Sequence, residues 1–118
     1  MSSTELTMER CEACHAGAPR VPDEERPALL QQIPDWNLVE VKDEPRLRRT
    51  YTFDDYAPCL AFTQAVGNLA IEEDHHPSIL VVWGKVTVTW WTHAIRDLHR
   101  NDFIMAAKSD EIYAQMRA

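Results

Sequence analysis

The run ILVVWGKVTVTWW, residues 79–91, constrains this chain more than any other stretch. Its β-branched and aromatic residues favour extended backbone, and one glycine interrupts them midway. Ile79 to Trp83 and Val86 to Trp91 therefore read as two antiparallel strands, with Gly84-Lys85 as a two-residue turn. An isolated hairpin is marginal in water. The rest of the chain has to cover one face of this one.

Upstream lies a second hairpin. Trp36 to Val41 alternates loosely, then Leu47, Arg49, Tyr51 and Phe53 share one face and Arg48, Thr50 and Thr52 the other, with Glu44-Pro45 as the expected turn. Pro22-Asp23-Glu24-Glu25 sets acids ahead of Ala28, Leu29, Leu30 and Ile33, which predicts a short helix over 23–32 that Pro34-Asp35 stops. Asp54 or Asp55 can cap a second helix with Pro58 in its first turn. Cys59, Phe62, Val66 and Leu69 mark its buried stripe, and it ends near Asp74. A last helix runs from about Arg100 to Gln115, with Asp102, Met105, Ser109, Ile112 and Met116 on one face. The order α-β-β-α-β-β-α predicts an α+β fold, one antiparallel sheet with helices on one side.

Length and charge narrow the function. The 118 residues suit one domain, here 21–118, behind a polar and flexible tail at 1–20. The formal charge is -7, from 12 basic and 19 acidic residues, which disfavours nucleic-acid backbones and anionic membranes as partners. Long apolar runs and a secretory h-region are absent, and the cysteines number three. Reduced thiols in the cytoplasm are the expectation. Cys11-Glu12-Ala13-Cys14-His15 spells C-x-x-C-H, the form of covalent haem attachment. It lies outside the periodic segments and supplies three ligands where zinc takes about four. A reduced thiol pair is the favoured reading, without haem or metal.

The histidines carry the chemistry. With Gly84-Lys85 as the turn, Trp83 opposes Val86, and further along His76 opposes His93. Opposed Cβ atoms lie about 5 Å apart. Even if Pro77 bends the chain, His75, His76 and His93 share one region. Asp102, on an apolar helix face, either satisfies the unpaired N–H groups of its helix start or belongs to a helix start that points at the histidines, and both can hold together. Adjacent side chains diverge, so His75 and His76 make a poor pair of metal ligands. For His99 a structural role is the default. No Ser or Cys has the spacing of a nucleophile, and Cys59 reads as a packing thiol. Imidazoles titrate at about pH 6.5, so proton transfer without covalent catalysis fits best. Of Trp83, Trp90 and Trp91, at least two are expected in the core, and a flat heteroaromatic ligand would suit such a wall.

His75-His76-Pro77, Trp83, His93 and Asp102, at these spacings, resemble the signature of the pterin-4a-carbinolamine dehydratases. IPDW, WGKVTVTWWTH, LHRNDFIMAA and the CEAC opening resemble its bacterial, phenylalanine-hydroxylase-associated subgroup. The resemblance implies a four-stranded antiparallel sheet with three helices. It implies dehydration of 4a-hydroxytetrahydrobiopterin to quinonoid dihydrobiopterin, recycling the pterin of an aromatic amino acid hydroxylase. By resemblance, His75 and His93 transfer protons, His76 binds and orients the pterin, and Asp74, Pro77, Thr92 and Asp102 line the pocket. The pterin is the substrate, and no metal or bound cofactor is implied. A homodimer or homotetramer is expected, with phenylalanine hydroxylase as a candidate partner. The same family includes the dimerisation cofactor of a homeodomain transcription factor, so a non-catalytic binding module is the competing class. Two positions depart from many relatives: Ile71 stands where they carry Glu, and Asn101 where they carry Arg, with Arg100 one position earlier.

Overall fold

The computed structural model describes residues 6–11 and 19–117. Within them lie a 3-10 turn at Asp23–Glu25, the helices α1 (Arg26–Gln31), α2 (Tyr56–Glu73) and α3 (Arg100–Arg117), and the strands β1 (Asn37–Val41), β2 (Glu44–Thr52), β3 (Ser78–Val82) and β4 (Lys85–Trp90). The strands form one antiparallel sheet in the order β1-β2-β4-β3. The expected α+β architecture is the observed one.

Both hairpin turns sit elsewhere than the sequence suggests. In the first, Val41 pairs with Glu44, so Lys42 and Asp43 make the turn, both with positive φ (53° and 65°). A two-residue hairpin of that hand usually selects Asn-Gly, and Lys-Asp hides it. Glu44-Pro45, the expected turn, begins β2. Pro45 is tolerated there because the β4 ladder starts only at Leu47.

In the second, Val82 pairs with Lys85 and Val81 with Val86. Trp83-Gly84 is the turn, and Gly84 has φ +78°. Glycine can supply positive φ at either turn position, and here it takes the second. A Cβ at Gly84 would also lie 3.3 Å from the Phe53 carbonyl oxygen. The one-residue shift of the turn moves every cross-strand partner by two. Inward residues stay inward, because the side-chain period is two.

The core lies between the sheet and the helices. Leu47, Tyr51, Val86, Val88 and Trp90 of the sheet are buried against Cys59, Phe62 and Val66 of α2 and Phe103, Met105 and Ala106 of α3. Ala70 continues the α2 stripe, and Leu69 is only partly buried. The first half of α3 is buried almost all round, and Met116, expected on the buried face, is 39% exposed. Asp110 ties the first hairpin to α3 by accepting from Trp36 Nε1 (2.9 Å), Arg49 Nη1 (2.6 Å) and the Tyr51 hydroxyl (2.6 Å). Burial, then the charge of Asp110, pushes the Tyr51 hydroxyl well above its usual range, so it stays a donor.

Of the segment expected as a tail, Leu6 is fully buried in the core, and at the start of the expected domain Val21 N–H donates to Leu98 O (2.8 Å). Cys11 is half-buried, while Cys14 and His15 fall outside the described residues.

Candidate active site

The site is built where α2 ends and α3 begins. Asp55 caps the start of α2, its carboxylate accepting from Tyr56 N–H (2.7 Å). At the other end Asp74 adopts the left-handed conformation (φ 52°). His75 N–H reaches back to Ala70 O (3.1 Å) and Asp74 N–H to Ile71 O (3.3 Å), the paired bonds of a Schellman motif. Asp74 thus reverses the chain, and its side chain is exposed. Immediately after it, His75 turns inward and His76 outward, one buried and one exposed. Pro77, half-buried, leads into β3.

His75 Nε2 lies 2.7 Å from Oδ1 of Asp102, which is fully buried. Oδ2 of Asp102 accepts from the Thr92 hydroxyl (2.8 Å) and from His99 N–H (2.9 Å). A carboxylate receiving two other donors is matched by a third, which assigns a proton to His75 Nε2. The His75 ring also stacks on Trp90, with centroids 5.6 Å apart and planes 5° from parallel. This histidine is held by a carboxylate at one edge and an indole on one face.

Asp102 owes its place to the start of α3. His99 precedes the helix, and its Nδ1 accepts from Asn101 N–H (3.0 Å), while Asp102 reaches back to His99 N–H. The two bonds are reciprocal, as in a capping box, with imidazole in the place of a Ser or Thr hydroxyl. The structural role expected of His99 is this one. The same box aims the second oxygen of Asp102 at His75.

His93 occupies the open side. β4 ends at Trp90, Thr92 bridges to Asp97, and residues 93–96 form the turn between them. Asp97 pins that turn: it accepts from Leu98 N–H (2.6 Å), Arg20 Nε (2.8 Å) and Arg26 Nη2 (2.7 Å). His93 is exposed and its ring sits 4.3 Å from Trp91, centroid to centroid. The Arg46 guanidinium lies 3.8 Å over the same Trp91 ring.

The expected pairing of His76 with His93 does not occur. The observed register would set Trp91, not His93, opposite His76, and the β3–β4 ladder stops at Ser78–Thr89. What connects the segments is instead the chain His75–Asp102–Thr92, with His76 and His93 next in sequence to its two ends. Thr92 is fully buried, so its hydroxyl serves Asp102. Trp90 and Trp91 are core residues, whereas Trp83 is 66% exposed in the turn, at the opposite end of the hairpin. It forms no wall with them. A cavity of about 430 Å³ behind the start of α3 is lined by His99, Arg100 and Asn101, and not by His75, His76 or His93.

Sequence reasoning missed Arg46 and the capping role of His99. Arg46 meets Trp91 only because β2 pairs with β4, and two hairpins do not reveal their order in the sheet. His99 had a readable signal, the His-x-x-Asp spacing at a helix start, masked by the unusual cap residue. Ile71, at the departing family position, is 73% exposed on α2.

Comparisons with known proteins bear on this arrangement. The family model described as "Pterin 4 alpha carbinolamine dehydratase" matches residues 19–112. A Microcystis aeruginosa protein named "Putative pterin-4-alpha-carbinolamine dehydratase" is 50% identical over 115 residues, 98% of this chain and 99% of its own. The crystal structure of a transcriptional coactivator/pterin dehydratase from Brucella melitensis superposes with a TM-score of 0.72 at 26% identity, covering 80% of this chain and 98% of its own. A pterin dehydratase-like protein identified as a RuBisCO assembly factor in the alpha-carboxysome gives a TM-score of 0.55 at 26% identity, covering 64% of this chain and 88% of its own.

Proposed function

The chain belongs to the pterin 4 alpha carbinolamine dehydratase family, and from that premise we propose that it dehydrates 4a-hydroxytetrahydrobiopterin to quinonoid dihydrobiopterin and water. The observation that carries this reading is a buried histidine–carboxylate pair, His75–Asp102 at 2.7 Å, beside two exposed histidines. The reaction needs a proton delivered to the 4a-hydroxyl oxygen and one removed from N5. As the C4a–O bond breaks, electrons from N5 form the C4a=N5 bond, and water leaves. Two imidazoles suffice for the two proton movements, and each such group is worth about 10²–10⁴-fold.

His75 and His93 are the proton carriers in this proposal, and His76 orients the pterin. Asp102 fixes the tautomer and direction of His75, and Thr92 acts through Asp102. Asp74 and Pro77 shape the edge of the pocket through the backbone turn at the end of α2. The protein would recycle the pterin of an aromatic amino acid hydroxylase such as phenylalanine hydroxylase, from the cytoplasm and without a bound cofactor. Among the described residues no helix is long and apolar enough to cross a membrane. A homodimer or homotetramer is proposed as the working form. Edge strand β3, with Leu80, Val82 and the adjacent Trp83 exposed, supports it.

The deciding assay follows loss of a 4a-hydroxytetrahydropterin optically, with and without protein. A rate no faster than the spontaneous one would sink the enzyme reading. The relatives described as a coactivator and as an assembly factor favour a second reading, a binding module. Replacing His75 and His93 together with Ala separates the two, because turnover goes and partner binding stays if the surfaces are distinct.

A further inference from the structure

The segment ahead of the catalytic domain makes contacts that the dehydratase chemistry does not use. Leu6 is fully buried in the core. Three residues on, the Glu9 carboxylate takes both nitrogens of a planar fork: Arg100 Nε donates to Oε1 (2.8 Å) and Arg100 Nη2 to Oε2 (2.7 Å). Next, Arg10 Nε lies 3.0 Å from Glu73 Oε2, and Cys11 N–H donates to Glu73 Oε1 (2.9 Å). Lys108 of α3 stands 3.7 Å from that same oxygen.

The positions of these anchors matter. Glu73 is the last residue of α2, two before His75, and Arg100 is the first residue of α3, two before Asp102. A six-residue stretch of chain therefore grips both helix ends that bring the 2.7 Å pair together. Exposed ion pairs are usually weak, but Glu73 is not exposed: its side chain is 2% accessible. A buried carboxylate that lost Cys11 N–H and Arg10 would keep only the longer contact to Lys108, and such a charge is costly to leave under-partnered. The docked segment is what satisfies it.

We propose that residues 6–11 brace the active site, with Glu73 and Arg100 as positioning residues that set the His75–Asp102 geometry through Arg10, Cys11 and Glu9. The proposal rests on the assignment of His75 to proton transfer. It gives the N-terminal segment a role in turnover and not only in stability. Misplacement of a reacting group by a fraction of its contact distance reduces the chemical step and leaves substrate binding largely intact.

The test uses the full chain and four variants: Glu73→Gln, Glu9→Arg, Arg100→Glu, and the double exchange of Glu9→Arg with Arg100→Glu. Glu73→Gln keeps an oxygen for Cys11 N–H, so it is the variant that most safely folds. Each single change should lower kcat about tenfold with KM within about twofold, and the double exchange should recover most of the loss. The second readout is the proton NMR signal of the His75 ring N–H bonded to Asp102. It should exchange faster with solvent in the single variants and return to the parent rate in the double exchange. Single variants that melt earlier yet keep both kcat and the slow ring proton would overturn the brace. So would failure of the double exchange to restore either readout. If the parent protein shows no turnover, the dehydratase reading fails alone, and the ring proton still decides the brace.

Discussion

His75 and His93 flank the same hydrogen-bonded chain, but their surroundings differ. His75 is buried, bonded to Asp102 and stacked on Trp90. His93 is exposed, and its ring rests on Trp91, which Arg46 covers in turn. The closed side has its geometry complete without a ligand. The open side has an aromatic platform and an exposed ring. Under the proposed function the contrast suggests a division of labour, in which one imidazole is fixed in tautomer and direction and the other is free to adapt to a substrate. Stability and activity should then respond differently on the two sides.

The largest effect should follow Asp102→Ala. The change strands three donors, His75 Nε2–H, the Thr92 hydroxyl and His99 N–H, in a site closed to water. Removing one partner of a buried pair costs about 3–5 kcal/mol. Thermal unfolding should therefore begin some 10–20 °C lower, and turnover should fall with it. A variant that melts within a few degrees of the parent would show that the closed side is not a stability element, and the contrast would collapse.

His93→Ala comes next, and it sharpens the comparison from the open side. Its imidazole gives up one tilted ring contact, so the stability loss should stay below about 1.5 kcal/mol. The rate should nonetheless fall by about 10²-fold or more. His75→Ala should lower both the rate and the melting temperature, because it removes a buried ring and takes the histidine partner from Asp102 Oδ1. Equal stability losses for the two variants would mean that the sides are not distinct.

How the sequence shows this contrast depends on period and distance. Alternation marked the strands of the first hairpin and β-branched and aromatic residues those of the second, and a slip of two leaves the faces of a strand unchanged. Neither signal revealed the pairs, since a glycine alone does not say which turn position it fills. His76 and His93 were brought together by that misplaced turn, and the true link runs through Asp102 and Thr92. Asp102 was legible as an acid on an apolar helix face. Arg46 was not, because its neighbour Trp91 follows from sheet order. The docking of Leu6, Glu9 and Cys11 was hidden by the polar composition of the segment, in which Leu6 enters the core and Cys11 packs against it.

The smallest predicted effect is a slope in acid, and it tests the frame around both sides. Arg100 holds the Glu9 carboxyl below its usual range. Burial acts to raise Glu73, but Cys11 N–H, Lys108 and Arg10 outweigh it, and the net shift is downward. Asp97 follows the same pattern: burial raises it, while Leu98 N–H, Arg20 and Arg26 bring it below the usual range. Each group is thus more acidic folded than unfolded. Above the unfolded value of about 4 their stabilisation is fully present, and it is lost as the pH falls through the lower folded values. These groups should therefore give the melting temperature no pH dependence between about pH 7 and 5, and it should drop once the pH passes below about 4. Glu73→Gln should flatten that drop and lower the plateau above it, because the ionised carboxylate is the form that grips Arg10 and Cys11. His93→Ala, on the open side, should leave the acid slope of the parent in place. An acid slope that is the same with Gln at 73 as with Glu would mean that the contacts of Glu73 contribute nothing to stability, and the closed side would lose one of its supports.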